Sequence, residues 1–308
     1  MLNYSKSINI LLILIFCLIG SSLQAQFILK QVEYDIPISY SLVPEDVEIE
    51  NEEEEALFFM TIPTEKLKKA AFEEGREVST NESIIYIDGD NFAVEDNSEM
   101  GQMTVISNAK DGVMYMIRWS QKKVIVITPE DLKKMEEQAN AAVEESMKLL
   151  SPEMQAQVRA SMEQEKQQKS GAKRIANPTG KKMTINGFNC ELFTITNEEG
   201  NITGIWAAPD DMNITAAAEN ISEKFSKIFN MGEDEETDEW SLIKGKIPVE
   251  VREMSQDMEM GEPSFSITSI QKIERKTPPV DKFNVPGEKE GFTHGSFSDM
   301  MNQMMREQ

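Results

Sequence analysis

The chain has 308 residues, with 31 Lys and Arg against 54 Asp and Glu, a net charge of −23. An acid excess of that size excludes a general nucleic-acid role, which needs clustered basic side chains to neutralise phosphate. It reads most simply as a solvated, self-repelling surface, and its densest runs, 45–55 and 232–239, as acidic loops.

From the first residue the order is Lys6, an apolar run over Ile10–Ile19, then Leu23-Gln24-Ala25. This is the pattern of a signal peptide cleaved after Ala25. The run is shorter than the ~20 apolar residues a membrane span needs. Cys17 follows Phe16 rather than a small residue, which argues against a lipid anchor. The expectation is a periplasmic or secreted protein with signal peptide 1–25 and no transmembrane segment in the mature chain.

Alternating patterns predict strands at 27–36, 56–62, 82–88, 91–95, 102–107, 113–118, 122–128, 181–185, 188–196, 201–208, 247–253 and 264–274. Short turn signals separate most of them, as in an antiparallel meander. Gly89-Asp90 in a turn pairs Ile87 with Phe92 and Ile85 with Val94, which puts those four on one face.

Helical periodicity interrupts the strands. "TPED" gives Thr128 as N-cap, Pro129 at the first helical position and acids in the first turn. The apolar stripe that follows includes Leu132, Met135, Val143 and Met147, and "SPEM" restarts it with Met154 and Val158. A second stripe over 211–231 carries Ile214, Ile221 and Phe225, and a short helix fits 64–74 before Gly75. Each stripe needs an apolar surface to cover. The expected class is therefore α+β: a curved antiparallel sheet with amphipathic helices packed on its concave face. It fills one domain over 26–292, and 293–308 is read as a flexible, Met-rich tail.

"TINGFNCELF" holds the only cysteine left after the leader. Asn186 and Gly187 tolerate the positive φ of a two-residue turn. Register then opposes Ile185 to Phe188, Met183 to Cys190 and Lys182 to Glu191, with Lys182 and Glu191 as a cross-strand pair. Cys190 falls in the middle of the apolar face of this hairpin. A buried lone thiol behaves as a small hydrophobe of raised pKa. The redox or metal alternative lacks a second Cys, a nearby His and a CxxC.

Catalytic patterns are sparse. His294 is the only histidine and lies in the tail segment. There is no GxSxG, P-loop or HExxH, so the expectation is no enzyme and no cofactor. The acidic runs lack the glycine and spacing of a calcium loop. Methionine is abundant, 20 residues. Thioethers with His294 form a soft set that selects Cu(I); the plainer reading is a flexible acidic tail that contains Met.

"SIIYIDGDNFAVE", "VMYMIRWSQKKVIVIT", "TINGFNCELFTIT", "ITGIWAAPD" and the closing "IPVEV…SFSITSIQKIERKTPPVDKFNVPGEKEGF", in this order, resemble a bacterial family of exported proteins, domain of unknown function 4412. Gly187, Phe188, Cys190 and Trp206 carry its most specific feature. Ala93 departs from the basic residue usual after "GDNF". The family is similar to the periplasmic outer-membrane lipoprotein carriers. That implies a half-open barrel and a hydrophobic ligand, a lipid or acyl chain, with Met135, Val143, Met147, Met154 and Phe225 facing it. The alternative is a structural or protein-interaction module of the envelope, working through 45–55 and 232–239 with an envelope protein as partner.

Overall fold

The computed structural model describes residues 26–47, 49–98, 101–108, 112–148, 150–151, 153–155, 157–159, 175–197, 201–216, 243–255 and 263–300. Twelve strands form one sheet: β1 (Gln26–Pro37), β2 (Ser79–Asp88), β3 (Asn91–Ser98), β4 (Gly101–Asn108), β5 (Val113–Arg118), β6 (Lys123–Ile127), β7 (Asn177–Ile185), β8 (Phe188–Thr196), β9 (Ile202–Pro209), β10 (Lys246–Ser255), β11 (Ser264–Arg275) and β12 (Thr293–Ser296). Their order across the sheet is β12-β6-β5-β4-β3-β2-β1-β11-β10-β9-β8-β7. Two meanders, β1 to β6 and β7 to β11, thus join where β1 pairs with β11. Every pairing is antiparallel except β12 on β6.

The α-helices beside the sheet include α1 (Glu52–Met60), α2 (Thr64–Glu73) and α3 (Pro129–Lys148). α1 occupies part of the acidic run and most of the predicted strand 56–62. Asn51 Oδ1 accepts from the Glu54 amide at 2.9 Å, and four glutamates fill the first turn. The cap and the favourable placing of negative charge at a helix N-terminus outweigh the β preference of Phe58 and Phe59. α3 begins as its signals require: the Thr128 amide donates to Asp131 Oδ2 at 3.1 Å and the Asp131 amide to Thr128 Oγ1 at 3.2 Å, a reciprocal cap.

The expected class is corrected on two counts. The sheet is a single open one and does not close into a barrel: β12 and β7 stand at opposite ends of the strand order and are not paired. Among the described residues the helices are few and form no layer on the sheet; what is described is mostly β, a single open sheet. In α3 the stripe does not act as one buried face, since Met147 is buried while Val143 is exposed. Most of the predicted helix 211–231 lies outside the described residues.

The main core gathers Phe27, Leu29, Ile85, Ile87, Phe92 and Val94 from the first meander with Cys190, Leu192, Trp206, Ile247 and Phe265 from the second. Phe59, Met60, Leu67 and Ala71 of α1 and α2 close over it. Ile85, Ile87, Phe92 and Val94 share this core, as the hairpin register requires, while Tyr86 and Ala93 enter a separate cluster with Ile106, Ile117 and Phe292. Register shifts at Lys30/Gln31 and at Pro248/Glu250 mark irregularities in the ladder, which bend and twist a sheet locally.

Candidate functional site

Buried polar side chains converge at the junction of α1, α2 and β10. In "PVEVREM" two charges sit two residues apart, so strand periodicity gives Glu250 and Arg252 one face. That face is the buried one: Arg252 is fully buried and Glu250 nearly so. Arg252 Nη2 and Nε donate to Glu250 Oε1 at 2.6 and 2.8 Å. Nη1 donates to the carbonyls of Ile62 (2.6 Å), Met60 (2.9 Å) and Phe59 (3.3 Å) where α1 ends. Nη2 also reaches Thr64 Oγ1 at 3.1 Å, and that hydroxyl donates to Glu250 Oε2 at 3.1 Å. The pair therefore binds the end of α1 to the start of α2, satisfying carbonyls that a helix terminus leaves without partners.

Trp206 adds a second tie, its indole N–H donating to the Met60 carbonyl at 3.1 Å. Gly204 lets α1 come this close, because a Cβ there would stand 2.7 Å from Met60 Sδ. Phe59 meets Phe58 and Tyr40 edge-on, with centroids 5.3 and 5.9 Å apart. The Tyr40 hydroxyl donates to Glu55 at 2.6 Å, which pushes its pKa up to about 12.

A second polar group lies on β1, β2 and β3. Glu33 pairs with Asn81 across strands, and Asp96 lies on β3 opposite Ser83. Burial raises the Glu33 pKa first, then the charges of Asp96, Asp35 and Glu253. Burial also raises Asp96, against a hydrogen bond from Asn81 and one from the Asn97 backbone. Asn81 Oδ1 and Asp96 Oδ1 are buried without a hydrogen-bond partner.

The hairpin is as its register predicts: Ile185 opposite Phe188, Met183 opposite Cys190, Lys182 opposite Glu191. Asn186 and Gly187 have φ of 50° and 86°. The Asn186 side chain does more than turn, donating to Ser269 Oγ at 3.1 Å and to the Ile270 carbonyl at 2.9 Å. Glu191 finds its ion pair in Lys246 at 3.2 Å rather than in Lys182. Cys190 is a free, buried thiol, and its pKa is raised to about 11, by burial first and by the Glu250 charge second.

Of the five residues expected to face a ligand, three have described side chains. Met147 is buried, and Val143 and Met154 are exposed. The side chain of Met135, and Phe225 altogether, lie outside the described residues. His294 sits in β12, its Nε2 2.9 Å from the Pro286 carbonyl. Among the described residues no group of three or more His, Cys, Asp or Glu is placed to hold a metal ion, and no helix is long and apolar enough to cross a membrane.

Sequence reasoning passed over Glu250, Arg252 and Asn81. A signal existed for the first two, since opposite charges at i and i+2 inside an apolar strand point the same way, and a strand with both neighbours paired has little solvent to offer them. No family model and no curated protein matches the chain.

Proposed function

We propose that this is an exported, non-enzymatic interaction module, with the sheet as scaffold and the α1–α2 corner as its working surface. One observation carries the reading. The apolar surface that a lipid would need is occupied by the protein's own Phe59, Met60 and Trp206, and Arg252 latches the covering helices through their backbone. Prying that cover open would strand a buried charge, which costs several kcal/mol (about 3–5).

The corner presents a different chemistry. Away from the latch, Glu45, Asp46, Glu52, Glu53 and Glu54 before and in the first turn of α1 and Glu73 at the end of α2 are exposed, with Tyr40 and Phe72 also exposed, Phe72 to 77%. The Ser39 hydroxyl donates to Glu74, joining the segment before Tyr40 to the end of α2. Acid around exposed aromatic rings fits a basic polypeptide with apolar side chains, an envelope protein in an exported setting. The second acidic run, 232–239, lies outside the described residues.

The test pairs two measurements. Native mass spectrometry of the purified protein should show the bare chain mass; a co-purified lipid or acyl chain refutes the filled-core reading. A pull-down from envelope extract with the parent chain and with the E52Q/E53Q/E54Q variant should lose its partner in the variant and in high salt. Capture that ignores both removes the acidic corner from consideration.

A further inference from the structure

β6 reads Lys-Val-Ile-Val-Ile, four β-branched residues in succession after one charge. A bare edge of that composition offers unpaired backbone groups and apolar side chains, a template for pairing with another chain. The chain covers this edge with its own C-terminal segment. β12 pairs with it in parallel over only four residues, Thr293 to Ser296. Phe292 is buried in the cluster with Tyr86, Ile106 and Ile117, against the Trp119 ring (centroids 5.4 Å apart). Phe297 and Met300 join a different cluster, around Val105, Met116 and Ile125. Ser298 Oγ donates to Asp131 Oδ1 at 2.7 Å, the carboxylate that caps α3. The strap is thus held by a few side chains on either side of a short ladder, and it follows Gly291, whose φ of 83° marks a natural pivot.

We propose that residues 293–300 are a displaceable strap that keeps β6 from pairing with a second copy of this chain, and that its release joins two copies β6 to β6. Self-complementarity points to that occupant. Set antiparallel about a two-fold axis, Ile125 opposes Ile125, Val124 opposes Val126 and Lys123 opposes Ile127, so no like charges meet. Elsewhere a chain of net charge −23 repels its copy. The contact uses one patch twice and therefore closes at a dimer instead of a fibre.

Light scattering after size exclusion, over a concentration series, tests this on the full chain. The F297A/S298A variant removes two of the three anchors beyond β12 and should dimerise about tenfold more tightly than the parent. In that dimer the amides of 124–127 should stay protected from hydrogen exchange. A folded variant that associates no more than the parent overturns the proposal, and so does a dimer whose β6 amides exchange faster than in the parent. A chain ended after Phe292 should dimerise more strongly still. If circular dichroism shows that the shorter chain does not fold, the double variant decides alone.

Discussion

Replacing Arg252 by Met keeps most of the buried volume and removes the charge. Glu250, 2% exposed, is then left as an unpaired carboxylate in the core. Removing one partner of a buried ion pair costs about 3–5 kcal/mol. The Ile62 carbonyl loses its Arg252 donor, which adds about 1 kcal/mol; the Met60 and Phe59 carbonyls keep the Trp206 indole and the Ile62 amide. A loss of about 4–6 kcal/mol is a large share of the ~5–15 kcal/mol that stabilises a typical fold. The E250L/R252M double variant buries no charge, so it should lose only about 1–2 kcal/mol, from the Thr64 hydroxyl and the Ile62 carbonyl. Urea unfolding followed by circular dichroism and by tryptophan fluorescence reads both variants. An R252M chain that loses less than about 1 kcal/mol, or a double variant no more stable than the single one, would refute the latch.

Three further outcomes follow from the same structure. Cys190 should resist a thiol reagent in the native protein and react only on unfolding; because its folded pKa is raised to about 11, the preference for the buried neutral thiol is complete below the ordinary thiol range and is lost as pH rises toward 11, so alkaline titration should weaken the fold there. Asp96 is raised as well, so its folded form favours the proton and the carboxylate opposes folding at neutral pH; Asp96→Asn, whose amide supplies donors, should raise the melting temperature at pH 7, with the gain shrinking as acid protonates the parent, and an equal gain at both pH values would rule the titration out. Gly204→Ala should cost about 1–3 kcal/mol by overpacking Met60, and in the background of Met60→Ala the same change should cost clearly less in a melting series.

What the sequence made legible was local and periodic. The Gly89-Asp90 and Asn186-Gly187 hairpins, with their registers, follow from turn chemistry and a period of two, and Thr128 with Asp131 spells out a helix start. What it hid was set by distance. α1 looks like a strand by composition, and its fate rests on an Asn51 cap and four glutamates acting together. The Glu250–Arg252 pair shows its meaning only once β10 lies beneath the end of α1, a contact between residues almost two hundred positions apart. The long helical stripes suggested a covering layer, but a stripe states that a face is apolar and not which surface it meets; among the described residues two short helices, α1 and α2, cover the core. Residues 293–296 carry almost no strand signal, Thr-His-Gly-Ser, and become β12 because the β6 edge is there to receive them.

The position of β1 has a consequence for how the chain assembles. Both meanders grow by adding the next strand in sequence, so each can form as its residues become available. The seam between them is different: Phe27 pairs with Arg275 and Ile36 with Phe265, contacts that close nearly the whole chain into a loop. The first strand made therefore waits with one side open until almost the last arrives. During that interval β1 exposes apolar residues that the finished sheet buries, among them Phe27, Leu29 and Ile36. The seam is thus the slow, high-contact-order step of the molecule, and the stretch of its history in which a chaperone has most to protect.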